Sequence, residues 1–124
     1  MIVARGGRFA LAAALTGLAA ASAWAQTRVV NGLLTDEAGL SLYVSEAEPP
    51  GKSQCYGACL NMWTPYAAPA GAKPGGDLTL VARDDGTQQW AYKGKPLYRW
   101  WNDKKPGDMD GQGLRGGNWH VVRP

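Results

Sequence analysis

Cysteines at 55 and 59, a lone histidine at 120 and methionines at 62 and 109 are the soft and borderline donors of this 124-residue chain. Thiolate, imidazole and thioether are the ligand types copper prefers, so Cys55, Cys59, Met62, Met109 and His120 form one candidate metal set. The run Cys55-Tyr56-Gly57-Ala58-Cys59 is neither the Cys-x-x-Cys of a thioredoxin-type pair nor the Cys-x-x-Cys-His of covalent haem attachment. The same two thiols can also bond to each other. One helical turn brings the two Cα atoms to about 6 Å, within the span of a disulfide. A copper or thiol redox protein and a structural bridge therefore compete for the same sulfurs, and the redox compartment decides between them.

Other constellations carry less chemistry. Asp108-Met109-Asp110-Gly111-Gln112-Gly113 sets oxygens at alternate positions as a calcium loop does, but Gln112 replaces a carboxylate and Trp119 stands where the closing Glu belongs. Asp84-Asp85 precedes Gly86 and reads as a turn rather than an acid/base pair. His120 has no serine in a nucleophile-elbow context, and no glycine loop precedes a helix to cradle phosphate. No catalytic residue is assigned, and no cofactor is expected beyond the copper alternative.

The compartment is read from the first 25 residues. Arg5 and Arg8 precede an uncharged Ala/Leu-rich run, and Ala23-Trp24-Ala25 supplies the small-x-small pattern of a cleavage site, so a signal peptide over 1–25 and a mature start at Gln26 are expected. The apolar run is shorter than the roughly 20 residues that span a bilayer. No cysteine follows it to take a lipid, so a soluble periplasmic or secreted protein without a transmembrane anchor is expected. In that compartment an even cysteine count favours the Cys55–Cys59 bridge. Taking Arg5 and Arg8 from the 13 basic residues leaves 11 against 10 acidic ones, scattered along the chain. Such a balance gives nucleic acid no footprint.

Residues 26–124 make one small domain that must build its core without phenylalanine or isoleucine, because the chain's Phe9 and Ile2 both lie in the leader. Five tryptophans and five tyrosines supply the volume, each burying on the order of 150–250 Å². The elements read as all-β. Residues 78–83 and 88–92 flank Asp84-Asp85-Gly86 as a hairpin, and a turn at 93–96 leads into a strand over 97–101. Residues 28–35 and 39–44 are expected to form the corresponding pair around Asp36-Glu37-Ala38, with 120–122 as a terminal strand. A short helical turn is expected near the cysteine pair. Residues 67–76 read as a linker of small residues, and 49–54 and 102–118 as long loops. In a strand the adjacent Trp100 and Trp101 face opposite ways, which makes one of them a candidate for exposure.

The chain repeats itself at an offset of 55 to 56 residues. Gly39, Leu42 and Tyr43 recur as Gly94, Leu97 and Tyr98, and Trp63 recurs as Trp119. Two units, about 28–70 and 77–124, are too few for a solenoid and imply one domain of pseudo-twofold construction. Tyr98-Arg99-Trp100-Trp101-Asn102-Asp103 matches a Tyr-x-(Phe/Trp/Tyr)-x-x-Asp motif at every specified position. With Gly39 to Tyr43, the cysteine pair followed by Trp63, the run from Trp90 and Tyr92 through Gly94, Pro96 and Leu97, and Trp119, the chain resembles a bacterial family of secreted repeats described as predicted lipoproteins. The first unit departs from the pattern with Ser45 in place of an aromatic, Glu48 in place of Asp, and Thr64 within a Trp-Pro-Pro run.

The resemblance implies an exported small repeat module without a settled biochemical role, and by loose association an accessory part in alkane catabolism. Tyr98, Trp100, Trp101 and Asp103 are the candidate binding residues of the motif. The expected function is a non-enzymatic binding or envelope-associated module whose partner is an envelope protein or a small ligand.

Overall fold

Neighbouring residues of a strand point to opposite faces of its sheet, and in this chain such neighbours are divided between two separate apolar clusters. Leu33, Tyr43, Tyr98 and Val121 lie in one, while Leu34, Leu42, Val44, Leu97 and Val122 lie in the other. The computed structural model describes residues 24–124, so most of the expected signal peptide lies outside the described residues.

The strands are β1 (Arg28–Val30), β2 (Leu33–Thr35), β3 (Tyr43–Ser45), β4 (Trp63–Pro65), β5 (Ala67–Ala68), β6 (Leu78–Ala82), β7 (Gln88–Tyr92), β8 (Lys95–Pro96), β9 (Tyr98–Trp100) and β10 (Trp119–Val121). A 3-10 helix covers Gly57–Asn61, beginning between the two cysteines and containing Cys59, where the short helical turn was expected. The central sheet is antiparallel with order β10-β3-β9-β4, and a second sheet has order β5-β7-β6 with β8 also on β7. The chain is mainly β in a small single domain.

The expected hairpin forms with Leu78 opposite Tyr92 and Ala82 opposite Gln88, closed by Gly86 at φ 90°. Three local readings need correction. Residues 28–35 are not one strand but a hairpin, because Asn31 and Gly32 adopt φ 51° and 78°, the left-handed pair that a tight two-residue turn requires. The linker begins with β5, whose Ala67 pairs with Gln89 of β7. The turn read over 93–96 contains β8, which pairs with β7, and the strand read over 97–101 is shortened to β9, which pairs with β3 and β4. Leu97 itself donates to Trp90 O and accepts from Tyr66 N, so it crosses between the sheets fully buried.

The central sheet displays the 55-residue offset directly. Tyr43 of β3 lies opposite Tyr98 of β9 at its middle. On one side Ser45 pairs with Trp119, and on the other Trp100 pairs with Trp63. Gly39 and Gly94 share a left-handed backbone, φ 88° and 86°, and each is covered by a proline of the other unit. A Cβ on Gly39 would stand 3.2 Å from Pro106, and one on Gly94 would stand 3.2 Å from Pro50. The long loops are thus ordered because each lies across the opposite unit.

Candidate functional site

The motif acids meet the motif tyrosines across the pseudo-dyad rather than within a unit. Tyr43 Oη donates to Asp103 Oδ2 at 2.6 Å, and Tyr98 Oη donates to Glu48 Oε2 at 2.6 Å. Backbone support matches: Asp110 N donates to Asp103 Oδ1 at 2.9 Å and Gln54 N donates to Glu48 Oε2 at 2.7 Å. Both tyrosines are inaccessible to solvent and both acids nearly so. Burial, ahead of every other cause, pushes both carboxyls above the usual carboxylate range although their hydrogen bonds favour ionisation. Burial and then the Glu48 hydrogen bond push Tyr98 up to about 12.

Around Tyr98 the polar network continues inward. Ser53 Oγ lies 2.5 Å from Tyr98 Oη, and Arg83 donates to Ser53 Oγ, Gln89 Oε1 and Cys55 O at 2.8 to 2.9 Å. Gln89 in turn donates to Leu97 O at 2.8 Å. Arg83 is a buried cation that donates three hydrogen bonds to the chain's own acceptors and lies over the Tyr56 ring, which makes it a strut of the fold. The sequence gives Arg83 no role beyond the end of the strand read over 78–83, ahead of the Asp84-Asp85-Gly86 turn.

Trp63 and Trp119 stack with centroids 3.8 Å apart and planes at 11°, flanked edge-on by Tyr43 and Tyr98. Trp100 adds a third indole on one side, 4.6 Å from Trp63. Its room comes from Gly111, where a Cβ would stand 2.8 Å from Trp63 and 3.0 Å from Trp100. On the other side the roles are exchanged. Ser45 stands in for Trp100, Cys55 stands in for Gly111, and Ser45, Cys55, Cys59 and Trp119 border one depression. The disulfide borders that depression, on the side where Ser45 replaces an indole.

Cys55 and Cys59 are joined, with Cα atoms 5.3 Å apart. Both sulfurs that the copper reading needs are in this bridge, and among the described residues no three of His, Cys, Asp and Glu gather. Met62 and Met109 are partly exposed, and His120 is turned to Glu46. Peptide mapping without reduction is expected to recover the bridged peptide. Because the closed loop has five residues, reduction should lower stability by only about 2 kcal/mol in urea denaturation.

Of the candidate binding residues, Tyr98 and Asp103 are buried in the network just described, Trp100 is half-buried, and Trp101 is exposed beside Lys104. Two depressions lie at pseudo-equivalent positions on the other face of the central sheet. One is a groove of about 540 Å³ including Val44, Tyr92, His120 and Val122. The other, about 350 Å³, includes Glu37, Thr64, Tyr66 and Arg99. In the register His120 stands opposite Val44 as Thr64 stands opposite Arg99.

The smaller depression is electrostatically closed. Arg99 Nε donates to Asp36 Oδ2 at 2.5 Å, Glu37 lies 3.6 Å from its guanidinium, and Tyr66 Oη donates to Glu37. In the larger groove Ala91 and Tyr92 occupy the positions of those two acids and Val44 that of the arginine. Lys93, Lys95 and Arg123 line it, against the single acid Glu46. Glu46 is held below the usual carboxylate range, chiefly by its hydrogen bond from His120. The sequence offers His120 as a candidate metal ligand and singles out none of these lysines, because their convergence depends on the register of β10 against β3.

No curated protein matches the chain, and no solved structure does. Among the described residues no helix is long and apolar enough to cross a membrane. Residues 79–123, from β6 through β10, match the family model described as a secreted repeat of unknown function, which is the family the motifs resemble and one whose role is not established.

Proposed function

We propose that the protein is an exported binding module that performs no covalent chemistry and acts in the periplasm or outside the cell through the groove beside β3 and β10. The observation that carries this reading is the contrast between the two pseudo-equivalent depressions. One spends its charges on itself, while the other leaves an apolar floor and basic side chains facing solvent. The buried titratable groups Glu48, Asp103 and Arg83 are engaged in the fold, which removes them as catalytic acids or bases. A concave, largely apolar site with a few placed polar groups is what small-ligand binding uses.

Export is tested by the intact mass of the protein from the soluble periplasmic or culture fraction, which should begin at Gln26. Binding is tested by titrating the isotope-labelled mature protein with a library of small organic fragments and following its amide resonances. Shifts are expected to gather on Val44, Tyr92, Val121 and Val122. Fragments that instead gather on the face of Leu60, Met62 and Trp101 would move the site, and retention of residues 1–25 in a membrane fraction would overturn export.

A further inference from the structure

We infer that the groove takes an organic anion, a singly charged carboxylate carried on a short apolar body. This rests on the reading of the groove as the binding site and names its ligand class. Two features select that chemistry together. The floor is built by the nearly buried Val44 and Val122, which belong to the cluster on this face of the sheet, with the half-buried Tyr92 as a wall. The rim is cationic: among the described residues neither Lys93, Lys95 nor Arg123 makes an ion pair, although Lys95 lies near enough to Glu46 to help hold its carboxyl down.

Each basic group is placed differently. Lys95 Nζ donates to Glu48 O at 2.8 Å, which fixes its ammonium without cancelling the charge. Lys93 Nζ stands 5.5 Å over the Tyr92 ring, so the aromatic wall and the cation are one unit. Arg123 is exposed at the groove's end, and the Gln112 side chain accepts Val121 N through its oxygen, leaving its amide N–H groups as neutral donors. Glu46, the lining acid, is turned to His120. A cationic ligand would meet three like charges, and an uncharged one would leave them unused. Inorganic phosphate would satisfy the charges and waste the floor.

The discriminating experiment titrates the labelled mature protein at low salt with hexanoate, hexylamine, hexanol and inorganic phosphate, each separately. Hexanoate is expected to shift Val44, Tyr92 and Val122 saturably and to bind at least tenfold tighter than the other three. Lys93→Glu with Arg123→Glu should weaken hexanoate at least tenfold while amide resonances away from the groove stay in place, and Arg123→Gln alone should weaken it less. Equal binding of hexanol or hexylamine in the groove would overturn the anion assignment and leave the groove as a site. Equal binding of phosphate would overturn the apolar half of the assignment. If none of the four perturbs the groove, the ligand class falls and the groove reading falls with it.

Discussion

Trp63→Ala and Trp119→Ala are each expected to lower the free energy of unfolding by about 3–5 kcal/mol in urea denaturation. The two indoles are 3% and 6% exposed and stack on one another, so truncating either opens a cavity against the remaining ring. Trp63 should be the costlier of the two, since it also carries Trp100 and sits against Gly111, which cannot fill the space without moving its backbone. Trp90→Ala, 2% exposed in the second cluster, belongs in the same range. The double variant Trp63→Ala/Trp119→Ala should cost less than the sum of the singles, because the second truncation removes a ring that has already lost its partner. Strict additivity, or a loss below about 1 kcal/mol for either single, would mean that the stack is not the centre of the core.

What the sequence discloses about this molecule is its repetition, and what it hides is how the two copies meet. The offset between Tyr43 and Tyr98 is visible in a single chain, as is the shift from Asp103 to Glu48 in the first copy. That each acid serves the tyrosine of the other copy is not visible, because hydrogen bonding across a dyad leaves no local spacing. The departures in the first unit are likewise intelligible only together: Ser45 without its indole makes sense beside Cys55, and Trp100 makes sense beside Gly111. The hairpin around Gly86 was legible because its turn chemistry is local. The hairpin at Asn31-Gly32 carries an equally local signal, but residues 28–35 also satisfy a continuous strand pattern and the longer reading masked it. The groove was illegible for a further reason. Its cations come from the β7–β8 turn, from β8 itself and from beyond β10, brought together by the register of β10 on β3.

Tyr43→Phe and Tyr98→Phe are expected to cost about 1–3 kcal/mol each at neutral pH, the penalty for leaving a buried acceptor without its donor. The loss should depend on pH in a definite direction. Asp103 and Glu48 have carboxyls raised above their unfolded values by burial, so the stability they contribute is fully present below an unfolded pKa of about 4 and declines as pH rises through the folded value. The tyrosine hydroxyls limit that decline by donating to the ionised oxygens, and removing one pushes its carboxyl further up. Each variant should therefore fall furthest below the unsubstituted protein near pH 7.5 and approach it near pH 3.5, where a protonated acid no longer requires the donor. Tyr98→Phe should be the more damaging, because it leaves Glu48, whose Oε1 already has no hydrogen bond, with Gln54 N as its remaining donor and leaves Ser53 with Arg83 as its remaining partner. Urea denaturation at the two pH values measures all three points. An equal loss at both would show that the hydroxyls pack rather than support charge, and the cross-dyad pairing would then be an accident of symmetry rather than the reason the motif keeps an acid five residues after its tyrosine.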